Sequence, residues 1–540
     1  MTKELSFDIR FASMPAHEEY GDGSELANRM REIYKGRNLE FPDDFDSTLT
    51  TPPIHFMHRS WAILALAVLS LSASANAKAV FAHFMIGNTE NYTSTDWTND
   101  ITLAKASSID AFALNAGFGA KYNARSFRAA FDHAAALDFK VFFSLDYSGS
   151  GRWPKDQVID LLSNYTDHEA YFRHSDGRAL ISTFEGYQAA KEWGEIKRDV
   201  AKAVGKENCC VFIPDWTSVG PHKASSVSAI DGLMSWEAWP YGNQEMNTTK
   251  DEEYMDLLGG KPFIMPVSPW FYTNLRQFNK NWVWRGDDLW YNRWEEVIEL
   301  QPEYVEILTW NDYGESHYIG PVRDNATGVI AEGAPFDYVA NMPHDGWREV
   351  LPFVIERYKK GKTSMPEIEE ENLSVWYRLS PGNACGTGKT TGNSPSSDQT
   401  LMKPADVLED KVFYSALLES NADVRVSIGG QNRSAEWTGR PDGGKGVYHG
   451  SVPFDDRTGE VVVTLSRDGE FLAQMKGRNI DDSCPGNLTN WNAWVGNVTA
   501  VKSSSSNGDG DGDGDEDSAA VPMEMVPTLW ILALAIFVLF

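Results

Sequence analysis

The residues best suited to chemistry sit in one run, 304–320, YVEILTWNDYGESHYIG, where Asp312 and Glu315 stand three apart beside Trp310, Asn311, Tyr313 and His317. A plain turn after a strand favours Gly, Pro, Asn or Ser. Two carboxylates next to aromatic faces instead suit a sugar. Carboxyl groups supply the acid and the base of glycosidic cleavage, and aromatic rings pack on the apolar faces of pyranoses. The competing reading of this run alone is a solvated loop with incidental charges.

The elements that must position such residues repeat along the chain. Strand-like apolar runs cover 80–85, 109–114, 140–145, 179–184, 209–214, 230–235, 261–267 and 304–309. Each ends on polar or aromatic residues: Asn88, Asn115, Asp146, Glu185, Asp215 with Trp216, Trp236 with Glu237 and Trp239, and Trp270. Amphipathic helical patterns at 124–137, 155–164, 188–204 and 290–300 separate them. Eight alternating strand and helix units predict an α/β fold, a (β/α)8 TIM-like barrel over 78–365, with the polar strand ends gathered in one mouth. A buried barrel histidine is the expectation for His83.

Past about residue 366 the pattern changes to short strands at 373–379, 411–418, 423–428, 446–452, 459–466 and 471–475, separated by turn clusters. This spacing predicts a smaller all-β, sandwich-like accessory domain over 366–500. Its Trp437, Tyr448 and Trp491 read equally as packing residues or as sugar platforms. The four cysteines permit three pairings. A Cys385–Cys484 bridge would close the β-rich region in an oxidising compartment. Cys209 and Cys210 are adjacent at the start of a strand, where alternation points them to opposite faces, so both are expected reduced and buried. No C-x-x-C or H-E-x-x-H spacing occurs, so no metal site is expected.

The two ends speak of location. Residues 57–77 have the basic start, apolar core and small-residue cleavage site of a secretory signal peptide, which makes 1–56 a misassigned upstream segment. The rival reading is a type II membrane anchor, but the apolar core is shorter than the roughly 20 residues that span a bilayer. Residues 501–517 form a Ser/Asp/Gly-rich acidic stalk, and 518–540 have the layout of a GPI-attachment signal with Ser518 at the site of lipid transfer. A transmembrane tail is the alternative. The Asp-Gly run fits no register of an EF-hand loop. A net charge of −29 argues against nucleic acid and against docking on anionic lipid, and a monomer is expected. The 19 Trp suit a carbohydrate binder. Sequons at Asn91, Asn164, Asn247, Asn325, Asn372, Asn432, Asn487 and Asn497 are glycosylation candidates.

The segments FAHFMIGN from Phe81, DAFALNAG from Asp110, KVFFSLDYS from Lys140, MSWEAWPYG from Met234 and LTWNDYGESHYIGP from Leu308 resemble glycoside hydrolase family 71, the fungal α-1,3-glucanases or mutanases. The resemblance implies inverting, cofactor-free hydrolysis of α-1,3-glucan, a fungal cell-wall polymer; taken with the two ends of the chain, the expectation is a secreted, wall-associated or GPI-anchored endo-hydrolase. Carried over residue by residue, it makes Asp312 and Glu315 the acid and base candidates, with Glu315 favoured as acid and Asp312 as base, and Asp146 a third essential carboxylate. Glu237 would hold substrate hydroxyls or serve structure. Trp236, Trp239, Trp216, Trp310 and Tyr313 become subsite platforms, and Asn115, Asp215, Asn311 and His317 hydrogen-bonding groups. The alternative is a GPI-anchored glucan-binding or structural wall protein whose barrel has lost catalysis.

Overall fold

The computed structural model describes residues 78–396 and 399–501. The expected upstream segment, signal peptide, stalk and GPI signal, Ser518 included, lie outside the described residues.

Eight parallel strands run β1 (Ala79–Met85), β2 (Ala111–Gly117), β3 (Lys140–Asp146), β4 (Ala179–Phe184), β5 (Cys210–Phe212), β6 (Leu233–Met234), β7 (Phe263–Val267) and β10 (Tyr304–Ile307). They form a sheet in the order β5-β4-β3-β2-β1-β10-β7-β6. Its free edges, β5 and β6, are joined just above β5, where Asp215 bridges both Phe184 and Met234. The strands are apolar almost throughout because helices cover the outside and side chains fill the inside. Thus Val80, Phe81, Ala82 and Phe84 of β1 are all fully buried. Inside, the Phe81 ring packs against Phe142, Phe172 and Tyr304, with centroids 4.8, 4.8 and 5.2 Å away.

The covering helices are α1 (Ser94–Ala106), α2 (Asn123–Ala136), α3 (Lys155–Tyr165), α4 (Trp193–Ala203), α5 (Pro221–Ser225), α6 (Thr249–Leu258) and α7 (Leu289–Leu300), followed after β10 by α8 (Gly328–Gly333) and α9 (Leu351–Lys360). α1 starts on a reciprocal capping box between Thr93 and Asp96. α2 buries Phe127, Ala130, Phe131 and Ala134, the spacing of one helical face. The barrel therefore forms where the alternating pattern places it. One insertion was not anticipated: a hairpin, β8 (Tyr272–Leu275) and β9 (Lys280–Val283), stands between β7 and α7.

The C-terminal region holds two antiparallel four-stranded sheets. One runs β16 (Gly446–Pro453), β13 (Lys411–Leu418), β11 (Asn372–Tyr377), β19 (Trp494–Thr499); the other runs β15 (Gln431–Arg433), β14 (Asp423–Ile428), β17 (Val461–Arg467), β18 (Glu470–Lys476). β14 alternates exposed Asp423 and Arg425 with buried Val424 and Val426, as a one-sided strand should. β11 is buried on both faces. Its Leu373, Val375 and Tyr377 enter the core between the two sheets, while Trp376 joins the barrel core. The junction is also hydrogen bonded, with indole N–H groups of Trp376 and Trp270 donating to Asp287 O and Trp491 O at 2.9 Å. Trp437, Tyr448 and Trp491 are buried, so they pack the core and present no face to a sugar. A short strand, β12 (Thr391–Gly392), leaves this region to pair with β9, and α10 (Pro404–Val407) follows it.

Cys385 and Cys484 are joined, closing a separation of 99 residues. Cys209 and Cys210 are buried but bonded to each other, which corrects the expectation of two thiols. The alternation argument failed because β5 begins at Cys210, leaving the Cys209 side chain outside the pleat. Asn372 is a second correction. It lies buried within β11, where a glycan has no room, whereas the other seven sequon asparagines are exposed.

Candidate active site

The loop after β10 is fixed from several sides. Thr309 N–H donates to His317 O and Ile319 N–H to Thr309 O, both at 2.9 Å, so residues 309–319 fold back on themselves. Asn311 clamps the end of β1, accepting from Met85 N at 2.7 Å and donating to Met85 O at 3.2 Å. Asp312 caps the 3-10 turn Tyr313–Glu315 by accepting from Glu315 N at 3.2 Å. Tyr338 donates its hydroxyl to Gly314 O at 2.8 Å.

A chain of polar groups runs through this loop. The Asp312 N–H donates to the Thr309 hydroxyl at 2.9 Å, that hydroxyl is hydrogen bonded to His317 Nδ1 at 3.0 Å, and His317 Nε2 is hydrogen bonded to Glu315 Oε2 at 3.0 Å. The other oxygen of Glu315, Oε1, is ion-paired with Lys280 at the start of β9. Donor atoms of Asp312, Glu315 and His317 lie within 4.8 Å of one another, a spacing a cation could use. Here the Lys280 ammonium already supplies positive charge to Glu315.

The two carboxyl groups are driven apart in proton affinity. For Asp312, burial and then the adjacent Glu315 charge push the carboxyl above its usual range. For Glu315, burial pushes the same way, but the Lys280 charge and the His317 hydrogen bond outweigh it and hold the group down at about 2. Of the two, Glu315 is the stronger acid and Asp312 the weaker. These directions run opposite to the acid and base order expected from sequence, and the ammonium behind them comes from the unanticipated hairpin. One oxygen of each carboxyl lies within 4.8 Å of the other's, whereas inverting enzymes keep acid and base roughly 6.5–9.5 Å apart.

Asp146 ends β3 half-buried in the mouth, its Oδ1 accepting from Ser148 N at 2.7 Å and Gly149 N at 2.8 Å. Beside the carboxylate loop opens a cleft of about 440 Å3 lined by Trp236, Glu237, Trp239, Trp282 and Trp284, with Ser394 from the C-terminal region. Trp239 and Trp284 stack at 5.1 Å, and Trp239 also packs on His317 at 5.4 Å, linking the cleft to the carboxylates. Burial, opposed by Lys250, raises the Glu237 carboxyl.

Other residues named from sequence have different places. Trp310 is fully buried against Phe112, with Gly320 pressed on its indole, and Trp216 is buried among Tyr187 and Phe212. Tyr313 is buried with its hydroxyl on Pro321 O at 2.8 Å. None of the three can be a sugar platform. Asn115, Asn311 and His317 are buried as well, and Asn311 and His317 act on protein partners. Asp215 sits on the β5–β6 seam, accepting from Thr217 N at 3.0 Å, with burial and then Glu185 driving its carboxyl well up. His83 is buried with Nδ1 2.7 Å from Glu306 Oε1, as expected. Lys280, Trp282 and Trp284 were missed. Their signal was the alternation in KNWVW, 280–284, a short strand pattern between the seventh strand and its helix.

Comparison with known proteins agrees with this architecture. Glycosyl hydrolase family 71 matches residues 76–507. The glucan endo-1,3-alpha-glucosidase agn1 of Schizosaccharomyces pombe is 35% identical over 79% of this chain and 97% of its own. A mutanase of Penicillium rubens is 32% identical over 79% of this chain and 90% of its own. The ascus wall endo-1,3-alpha-glucanase of S. pombe is 28% identical over 67% of this chain and 83% of its own.

Proposed function

Because the chain belongs to glycosyl hydrolase family 71 and is thus a glycoside hydrolase, we propose that its mouth cuts internal α-1,3-glucosidic bonds of fungal cell-wall glucan. The observation that carries this reading is the Asp312 and Glu315 pair, two neighbouring carboxyls whose surroundings shift their proton affinities in opposite directions. Such a split is how one site provides a proton donor and a fixed negative charge at the same pH.

In the proposed cut, Asp312 delivers its proton to the glycosidic oxygen as the bond to the anomeric carbon breaks. Glu315 stays charged and stabilises the positive charge developing on the sugar ring. Inversion then needs a base farther off than Glu315, and Asp146, three strands away around the rim, takes a proton from the water whose oxygen bonds to the anomeric carbon on the opposite face. The indoles of Trp236 and Trp284 hold flanking glucosyl units in the cleft, with Trp239 packed behind Trp284.

The test is incubation of the purified chain with insoluble α-1,3-glucan and, separately, β-1,3-glucan. Reducing sugar should appear from the first alone, and the new ends should carry the inverted anomer by NMR. Equal release from both polymers would remove the substrate assignment.

The same reading extends to place. Residues 57–77 and 518–540, with the wall location named for one relative, support secretion and lipid attachment at Ser518. Phosphatidylinositol-specific phospholipase should release activity from membranes. Recovery of peptides through Phe540 from the mature membrane protein would refute the lipid anchor.

A further inference from the structure

The carboxylate loop and the cleft share one support, the β8–β9 hairpin. β8 packs against the Tyr313–Glu315 turn, and β9 begins with Lys280 and continues to Trp282 on the cleft wall. The outer edge of the hairpin is also occupied. β9 pairs with β12, Thr391 beside Trp282 and Gly392 beside Val283. Asn281 donates to Gly388 O at 2.9 Å and accepts from the Thr390 hydroxyl at 2.7 Å, and Asn393 N–H donates to Val283 O at 2.9 Å. A segment more than a hundred residues downstream thus holds the strand that delivers Lys280.

We propose that Lys280 is a positioning residue for the reaction proposed above: its ammonium locks Glu315 in place against His317 and leaves Asp312 as the carboxyl that carries and delivers the proton, with residues 388–393 as the brace. The inference rests on the glucan-cutting reading for its kinetic consequence, but its electrostatic consequence stands apart from any substrate.

The surroundings leave Lys280 the central cation of the cluster. Facing the carboxyl pair are His317 on the same loop, Asp146 from β3, His83 from β1 with its partner Glu306, the Tyr338 hydroxyl, and Lys280. α8 packs on the same turn but presents the exposed Glu332, and Arg276 at the hairpin tip is exposed. The Glu315 charge raises the affinity of Lys280 for its proton, with smaller effects from Asp312 and Asp146, so the ammonium serves all three carboxylates. Without it, Glu315 and Asp312 would compete for one proton.

The experiment compares wild type with K280M, K280R and N281A, each checked for fold by near-ultraviolet circular dichroism. The readouts are kcat and KM on α-1,3-glucan across pH and titration of the Glu315 side-chain carboxyl by 13C NMR. K280M should lower kcat at least ~10-fold with a smaller change in KM, and should raise the Glu315 midpoint by at least about one pH unit. K280R should restore the wild-type midpoint. N281A, which loosens the brace and keeps the ammonium, should lower kcat with the midpoint nearly unchanged. If K280M misfolds, K280Q is read by the same criteria. An unmoved Glu315 midpoint with wild-type kcat in the Lys280 variant overturns the proposal. Inactive wild type on α-1,3-glucan would instead overturn the substrate reading, while the carboxyl titration still decides the role of Lys280.

Discussion

The backbone N–H of Glu315 donates to Oδ1 of Asp312 at 3.2 Å, so the two carboxyls belong to one turn and cannot move independently. In D312N the amide oxygen can still accept that N–H, which separates chemistry from structure. Its rate on α-1,3-glucan should fall by at least ~10², the low end of general acid catalysis, with the turn intact. E315Q should also lose rate, and in addition lose thermal stability, because the Lys280 and His317 donors no longer meet a carboxylate. Initial rates with calorimetry on both variants check this, and near-wild-type turnover in D312N places the acid elsewhere.

The two carboxyls should mark acid stability with opposite signs. Glu315, depressed on folding, contributes stability that is complete above its unfolded value of 4.5 and is lost as pH falls through that value toward about 2. Asp312, raised on folding, binds its proton better in the folded chain, so its contribution turns unfavourable as pH rises above 3.8. Urea midpoints between pH 2 and 7 should therefore show a weaker acid loss for E315Q than for wild type. D312N should be more stable relative to wild type at neutral pH than at pH 3. Parallel curves for all three proteins contradict the assigned directions.

Trp284 is half-buried, stacks on Trp239, and lines the cleft. Its loss should remove binding shared by ground and transition states. W284A should raise KM for soluble α-1,3-glucan oligomers roughly tenfold, about 1.4 kcal/mol, with kcat nearly kept. A fall in kcat with unchanged KM would put Trp284 in the chemistry and not in binding.

The Cys385–Cys484 bridge closes a separation of 99 residues, so it restricts the unfolded chain over a long loop. The double variant C385S/C484S should lose about 2–5 kcal/mol of stability, read by chemical denaturation. Because the closed segment includes β12, the brace of the Lys280 hairpin, activity should become more heat-sensitive in parallel. Unchanged stability would show that the segment is held by its packing alone.

Asn372 should carry no glycan, since its side chain is buried in β11 next to Glu349 O at 3.5 Å. Peptide mapping after enzymatic deglycosylation in heavy-oxygen water checks this. Labelled Asn372 in folded, active protein would mean that β11 is modified before it docks.

The sequence by itself determined the barrel, because eight apolar runs with helices between them leave few other ways to bury their faces. It also determined that Asp146, Asp312, Glu315 and the Trp236–Trp239 segment share one mouth, since parallel strands all end on the same side. The C-terminal strands were legible for the same reason, through alternation such as that of β14. Tertiary structure alone decided which aromatic residues face solvent. Trp216, Trp310 and Tyr313 follow strand ends just as Trp236 does, yet pack inward, because their direction depends on loop geometry that spacing does not record. It alone decided the order of proton affinities as well. Proton affinity at Asp312 and Glu315 is set by what lies within a few ångströms, and the deciding neighbour, Lys280, is 35 residues from Glu315 on a hairpin held by a chain segment another hundred residues on.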